Sequence, residues 1–318
     1  MKARRILSMD GGGIRGLVTC RWLAGVEDAL QDAGKPGLLR NFDLLAGSST
    51  GAIIACGLAI GLHPADMAAL YREHAQAIFP GMARRLWSRA GRLLVQGPSA
   101  PKYDGKGLEK VLRKVFGTTT LGQAKRPLML TSYDTISRKP VIFKSFKAAH
   151  RDLPMWECCR ASAAAPTYFP AHAMTVEGRK RALIDGGVVA NNPTACAIAE
   201  ALRKDARADK PRDLVVLSVG SGEHTRSIDL QSAREWGALE WAVPIIDVLF
   251  DGNGESVDYI ARHLVGDAYF RLQVELETGM DDLDDVSATN IAALEATARD
   301  YLLQPATREK LRKLAALV

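Results

Sequence analysis

Gly47-Ser48-Ser49-Thr50-Gly51 lies between a short apolar run, Phe42 to Ala46, and a longer one, Ala52 to Leu62. The five residues read Gly-x-Ser-x-Gly, and the flanking runs predict a strand before them and a helix after them. In that setting the pattern predicts a nucleophile elbow, a strained strand-to-helix turn that pushes one serine hydroxyl into open space. Ser49 holds the central position and Ser48 only fills a free one. The glycines serve the tight turn, where a Cβ would press on neighbouring backbone. Gly and Ser also crowd ordinary turns, so the rest of a hydrolase has to be found around this one.

Working outward, strand-like and helix-like segments alternate. Arg4 to Met9 reads as a strand, followed by a glycine cluster and a helical stretch from Leu17 to Asp32. Pro127 to Tyr133 and Pro140 to Phe146 are strand-like, with a polar turn between them, and Ala182 to Ile184 is a short apolar run ending at Asp185. Asp213 to Val219 is the clearest buried strand, bounded by Gly220. This order favours an α/β fold with a mostly parallel sheet covered by helices on both faces. The motifs below fall between residues 10 and 193, with no repeat or low-complexity linker, so a single catalytic domain over 1–318 is expected. Residues 226 to 318 read as a helical portion that completes the core, forms a dimer interface or binds a regulator.

The 318 residues suffice to bury roughly three quarters of the unfolded surface, so neither disulfides nor a structural metal is needed. Five cysteines, with Cys158 and Cys159 adjacent, read as reduced thiols of a cytosolic protein. No His/Cys cluster has metal-ligand spacing, and the acidic run Asp281 to Asp285 has the wrong alternation for a calcium loop. That run is expected near the amino end of a following helix, where negative charge is favourable. No signal-peptide core follows the basic amino terminus, and no apolar run reaches the length of a membrane span. A net charge of +6 permits attraction to anionic lipid, and no module for DNA or RNA is recognisable.

Asp10-Gly11-Gly12-Gly13-Ile14-Arg15-Gly16 satisfies Gly-x-Gly-x-x-Gly between a strand and a helix. A dinucleotide-binding oxidoreductase is therefore a competing reading. It would want a ribose-binding acid at the end of the second strand, whereas Glu27, Asp28 and Asp32 fall inside the predicted helix. With an elbow close behind, the glycine amides have another use as an oxyanion hole. A serine also needs a base. Of the six histidines (63, 74, 150, 172, 224 and 263), none sits in a recognisable motif. Asp185 in Ile184-Asp185-Gly186-Gly187 is the better candidate, although a carboxylate must be desolvated to become basic enough.

Together these stretches resemble the patatin-like phospholipases. Asp10-Gly-Gly-Gly-Ile-Arg-Gly16, Gly47-Ser-Ser-Thr-Gly51 and Asp185-Gly-Gly187 stand in that family's order, as do Ala161-Ser162-Ala163-Ala164-Ala165-Pro166 and Asn191-Asn192-Pro193. The resemblance covers about residues 4 to 225. It implies a three-layer α/β/α sandwich and a Ser-Asp dyad without a catalytic histidine. Ser49 would be the nucleophile, Asp185 the base, and the Gly11, Gly12 and Gly13 amides the oxyanion hole. Arg15, beside the hole, would contact substrate phosphate or make a structural salt bridge. The implied reaction is hydrolysis of membrane-lipid acyl esters through an acyl-enzyme, with no cofactor or metal.

Between Gly81 and Val95, Met82, Leu86 and Leu93 share one helical face with Trp87 at its edge, and Arg85, Arg89 and Arg92 line another. Such a basic amphipathic helix either docks on a membrane or packs its apolar side on the core. The first reading expects a cytoplasmic protein peripherally bound to the inner membrane. Some bacterial members of the family act in antiphage defence, where a cyclic nucleotide activator switches on membrane degradation; the resemblance leaves that role open here, and residues 226 to 318 leave a homo-oligomer open. A non-catalytic membrane-binding module stays open as a further alternative.

Overall fold

Alternate residues of the buried strands face two different cores. The computed structural model describes residues 4–81, 100–204, 210–223, 227–241, 244–276, 280 and 282–318. Among them, β1 (Arg4–Met9), β2 (Leu44–Gly47), β3 (Leu128–Asp134), β4 (Lys139–Lys144), β5 (His172–Val176), β6 (Arg179–Asp185), β7 (Leu214–Val219) and β8 (Tyr269–Leu272) form one sheet. Leu7, Leu45, Leu130, Val215 and Leu217 point to one side, where Leu17, Trp22, Ile54, Leu294 and Leu314 from four helices meet them. Ile6, Leu44, Met129, Leu214 and Val216 point to the other, against Ala197, Ala201, Ala261 and Val265 of helices Thr194–Lys204 and Pro244–Val265. The period of two along each strand thus yields three layers. The expected α/β/α sandwich is what the chain adopts.

β3, β2, β1, β7 and β8 run parallel, and β4, β5 and β6 add antiparallel pairs. Two strands lie outside the segments read from sequence. β5 and β8 end the strand order at its two edges, and neither carries the long apolar run that marks β7. β6 extends further than Ala182 to Ile184, because its Arg179-Lys180-Arg181 half is partly exposed and therefore polar.

The carboxy-terminal third is built into this architecture. It supplies β8, paired to β7, and helix Ala288–Leu303, whose Tyr301 ring lies 4.7 Å from that of Trp22 in helix Gly16–Asp32. The Trp22 indole N–H donates to the Ala298 carbonyl at 3.3 Å.

One detail of the sheet positions the site. β4 pairs with β3 from Met129 to Asp134 and takes one edge of that strand. The other edge is shared: β2 pairs with Leu128 to Leu130, and β6 with Ser132 to Asp134. β2 is parallel to β3 and β6 antiparallel, so their carboxy-terminal ends run towards each other and meet beside Thr131.

Candidate active site

β2 delivers the elbow and β6 delivers Asp185. After Gly47 the chain turns through Ser49, whose φ of 51° lies where residues with a Cβ rarely go, and enters helix Thr50–Ile60. A Cβ on Gly47 would stand 2.2 Å from the Gly51 carbonyl oxygen, and one on Gly51 2.2 Å from that of Met9. The turn is that tight, which is why both positions are glycine. The Ser49 hydroxyl donates to Asp185 Oδ2 at 2.7 Å. Asp185 Oδ1 accepts the Gly187 N–H at 2.7 Å, which fixes the carboxylate's orientation.

Asp185 is fully buried. Burial pushes its carboxyl up to about 7, against the lowering effect of the bonds from Gly187 and Ser49. The desolvation that the sequence required of a carboxylate base is therefore present. No histidine bonds Ser49 or Asp185 among the described residues; His224 lies outside them.

The segment Ala161–Pro166, quoted above only as a motif, ties the two halves together. The Ser162 hydroxyl accepts the Ser49 N–H at 2.9 Å, and the Ser162 carbonyl accepts the Gly186 N–H at 3.0 Å. The Asp185 N–H donates to the Ala164 carbonyl at 3.0 Å. A buried residue, Ser162, thus touches both the elbow and the aspartate loop.

The glycine loop lies against the elbow, since a Cβ on Gly11 would be 3.1 Å from Ser49 Cβ. Its amides are not equivalent. The Gly11 N–H already donates to the Asn191 carbonyl at 3.1 Å, whereas the Gly12 and Gly13 amides have no acceptor among the described residues. Of the three amides expected to serve as donors, the Gly11 hydrogen is therefore already shared with a carbonyl. Around Gly11, the Ser221 hydroxyl donates to its carbonyl at 2.8 Å, and Asn253 accepts the Asn191 N–H at 2.9 Å. Asp10 meets Arg271 of β8 at 2.7 Å in a buried pair. Burial by itself would lower the pKa of Arg271, but the charge and hydrogen bond of Asp10 hold it raised.

Arg15, expected at a substrate phosphate or in a structural salt bridge, lies inside the loop. It is 3% exposed, and its Nε donates to the Gly12 carbonyl at 3.4 Å, so it braces the loop from within. An apolar cavity opens at Ser49 instead, lined by Gly13, Ile53, Tyr71, Phe169, Phe250 and Leu283 among others. Phe250 and Leu283 come from the carboxy-terminal third, and no motif there announced them. Leu283 also accepts the Ile14 N–H through its carbonyl at 2.9 Å, and neighbouring Asp284 pairs with Lys102 at 2.5 Å. Leu283 and Asp284 of the acidic run thus buttress the glycine loop just before helix Ala288–Leu303.

The sequence profile of the patatin-like phospholipase family matches residues 7–198, a span that holds the elbow, the glycine loop and Asp185. Patatin-like protein 2 of Oryza sativa subsp. indica is 32% identical over 92% of this chain and 82% of its own length. The chain belongs to the patatin-like phospholipase family. Patatin-like protein 2 of Arabidopsis thaliana is 31% identical, over 96% of this chain and 84% of its own. Among solved structures, VipD from Legionella pneumophila is similar at 15% identity and a TM-score of 0.44, over 95% of this chain and 67% of that one. Membership supports a lipid-hydrolase function and replaces the dinucleotide reading. Glu27, Asp28 and Asp32 lie within helix Gly16–Asp32, away from any strand end.

Arg85, Trp87, Arg89 and Arg92, expected to contact membrane, lie outside the described residues. Among the described residues no helix is long and apolar enough to cross a membrane.

Proposed function

We propose that this protein is a serine lipid acyl hydrolase acting through a Ser49-Asp185 dyad. The observation that carries the reading is the 2.7 Å hydrogen bond from a strained elbow serine to a buried aspartate whose pKa stands near 7. A base with a pKa close to the operating pH is the effective one.

In the proposed cycle the acyl chain enters the apolar cavity beside Ser49. Ser49 Oγ attacks the ester carbonyl carbon while its proton passes to Asp185 Oδ2. The carbonyl oxygen becomes an oxyanion held by the Gly12 and Gly13 amides, and the amino end of helix Thr50–Ile60 adds a favourable dipole. As the tetrahedral intermediate collapses, Asp185 returns the proton to the leaving alkoxide, and the acyl group remains on Ser49. Water then attacks the acyl-enzyme with Asp185 again taking the proton; the bond from the acyl carbon to Ser49 Oγ breaks, Asp185 returns the proton to Ser49 Oγ, and fatty acid leaves. The peripheral membrane contact and the cyclic-nucleotide-activated antiphage role belong to this proposal as finer expectations of the resemblance.

The test is fatty-acid release from phospholipid vesicles, by the parent protein and Ser49→Ala, with and without cyclic oligonucleotides. Release that is lost with the substitution is the expected result. Equal release by both proteins would remove the proposed nucleophile, and an unchanged rate on adding nucleotide would remove the activator.

A further inference from the structure

A polar cavity adjoins the other side of the glycine loop. It is bounded by Asp10 and Gly11, by the turn after β7, by the end of β8 and by helix Pro244–Val265. Its volume is about 140 Å³, room for roughly four waters or a small organic ion. Phe250 lines both this cavity and the apolar one at Ser49.

The walls carry an excess of negative charge. Asp10 is paired with Arg271, and Arg15 and Asp251 contribute one charge of each sign. Glu223 and Glu255 remain, and their carboxyl groups hydrogen-bond each other. Two carboxyl groups do this only by holding a proton between them. Burial, and then the charge of Glu255, raise the Glu223 pKa accordingly.

A separate observation concerns two buried oxygens. Asp10 Oδ1 and Asn191 Oδ1 have no hydrogen-bond partner among the described residues, and both residues line this cavity. Asp10 is 3% exposed and Asn191 8%. An unpaired buried acceptor is costly, so each calls for a donor. Gly254 keeps room for one to enter. It is buried in the middle of helix Pro244–Val265, where glycine is less favourable than alanine, yet a Cβ there would meet nothing within 4 Å. Among the described residues no three His, Cys, Asp or Glu side chains are grouped to hold a metal ion. Acceptors spread over the cavity suit a molecular cation instead.

We propose that this cavity binds a primary ammonium group, the chemistry shared by ethanolamine headgroups and free alkylamines. A primary ammonium is a positive charge with three N–H donors and no acceptor. It gives donors to Asp10 Oδ1 and Asn191 Oδ1 and a counter-charge to Glu223 and Glu255, whose shared proton leaves to water. A quaternary ammonium brings the charge without the donors. The site lies beside the Ser49–Asp185 pair and does not depend on the acyl-hydrolase reading.

The experiment titrates ethanolamine and choline into the parent, Gly254→Leu and Glu255→Gln by calorimetry, with melting temperatures as a check on folding. Ethanolamine is expected to bind the parent saturably at one site, and choline at least about tenfold more weakly for want of N–H donors. Gly254→Leu fills the cavity and Glu255→Gln removes a charge; each is expected to weaken ethanolamine about tenfold or more. Should Gly254→Leu fail to fold, Glu255→Gln, at an exposed position, decides. No saturable binding by the parent, equal binding of choline, or unchanged affinity in the folded variants would overturn the site. Flotation of Ser49→Ala, with and without Gly254→Leu, on vesicles with and without phosphatidylethanolamine in phosphatidylcholine separates the sources. A preference for phosphatidylethanolamine that Gly254→Leu removes assigns the ammonium to a lipid headgroup. No preference, with dissolved ethanolamine still bound, assigns it to a free amine; either result supports the site.

Discussion

Gly47 and Asp185 end their strands two positions apart on the same edge of β3, opposite Leu130 and Ser132. One strand arrives parallel to β3 and the other antiparallel, so both carboxy-terminal ends open onto the same point. That juxtaposition brings Ser49 to Asp185 across 136 residues of sequence. It also explains why one segment, Ala161–Pro166, can hold both.

Ser49→Ala is expected to lower acyl-ester hydrolysis at least about ten-thousandfold, since the proposed nucleophile is lost. Stability should respond differently to glycine. At φ 51° any side chain is strained, so Ser49→Gly is expected to be about 1 kcal/mol more stable than Ser49→Ala. Urea denaturation of the two variants reads the difference; equal midpoints would show that the elbow stores no strain.

Asp185, the proposed base, should govern the pH dependence. In the proposed cycle its unprotonated form takes the proton, so kcat/KM should rise with pH through an apparent pKa of about 7. Stability should move the other way. Between the ordinary carboxylate range and about 7, the folded state keeps a proton that the unfolded chain has released, so this group's contribution falls as pH rises through that window. Asp185→Asn is expected to lower activity roughly a hundred- to ten-thousandfold and to flatten that part of the stability profile. Thermal melts from pH 4 to 8 with the same slope in both proteins would count against a raised pKa.

Gly13→Ala tests the oxyanion loop. Gly13 has φ 57°, and an added Cβ would stand 2.2 Å from the Leu283 carbonyl oxygen, so the loop must shift. Displacing one amide donor is expected to cost about a hundred- to a thousandfold in kcat with little change in KM. A loss confined to KM would assign the loop to ground-state binding.

Ser162→Ala leaves the buried Ser49 N–H without its acceptor. The expected cost is about 1–3 kcal/mol of stability. Because the same N–H orients the elbow, kcat should fall while Asp185 still titrates near 7. A variant with parent-like kcat would reduce Ser162 to a packing residue.

The buried Asp10–Arg271 pair tethers the glycine loop to β8. Arg271→Met strands the Asp10 carboxylate in the interior and is expected to cost about 3–5 kcal/mol. Replacing both residues by apolar ones should recover much of that loss, because the uncompensated buried charge is removed with its partner. A chemical-denaturation cycle over the four proteins measures the coupling.

The sheet was legible where burial is two-sided. β1, β2, β3 and β7 each carry an apolar run, Ile6-Leu7, Leu44 to Ala46, Leu128 to Leu130 and Leu214 to Leu217, because both faces of the sheet are covered there. β5 and β8 left no such mark, since an edge strand can be short or half-exposed. The elbow, the glycine loop and Asp185-Gly186-Gly187 were legible for a different reason. Each is a local turn, and a tight turn or an outward-facing amide restricts residue types whatever surrounds it.

Ser49, Asp185 and the glycine loop were therefore candidates from sequence alone, together with the layered α/β fold that carries them. Only the tertiary structure decided which of their groups are still available. It gave the Gly11 amide to Asn191 and turned Arg15 inward. It raised the Asp185 pKa by burial and brought Phe250, Leu283 and Arg271 to the site from the far end of the chain. A hydrogen bond's partner and a carboxylate's hydration are set by neighbours in space, and here those neighbours lie many residues away.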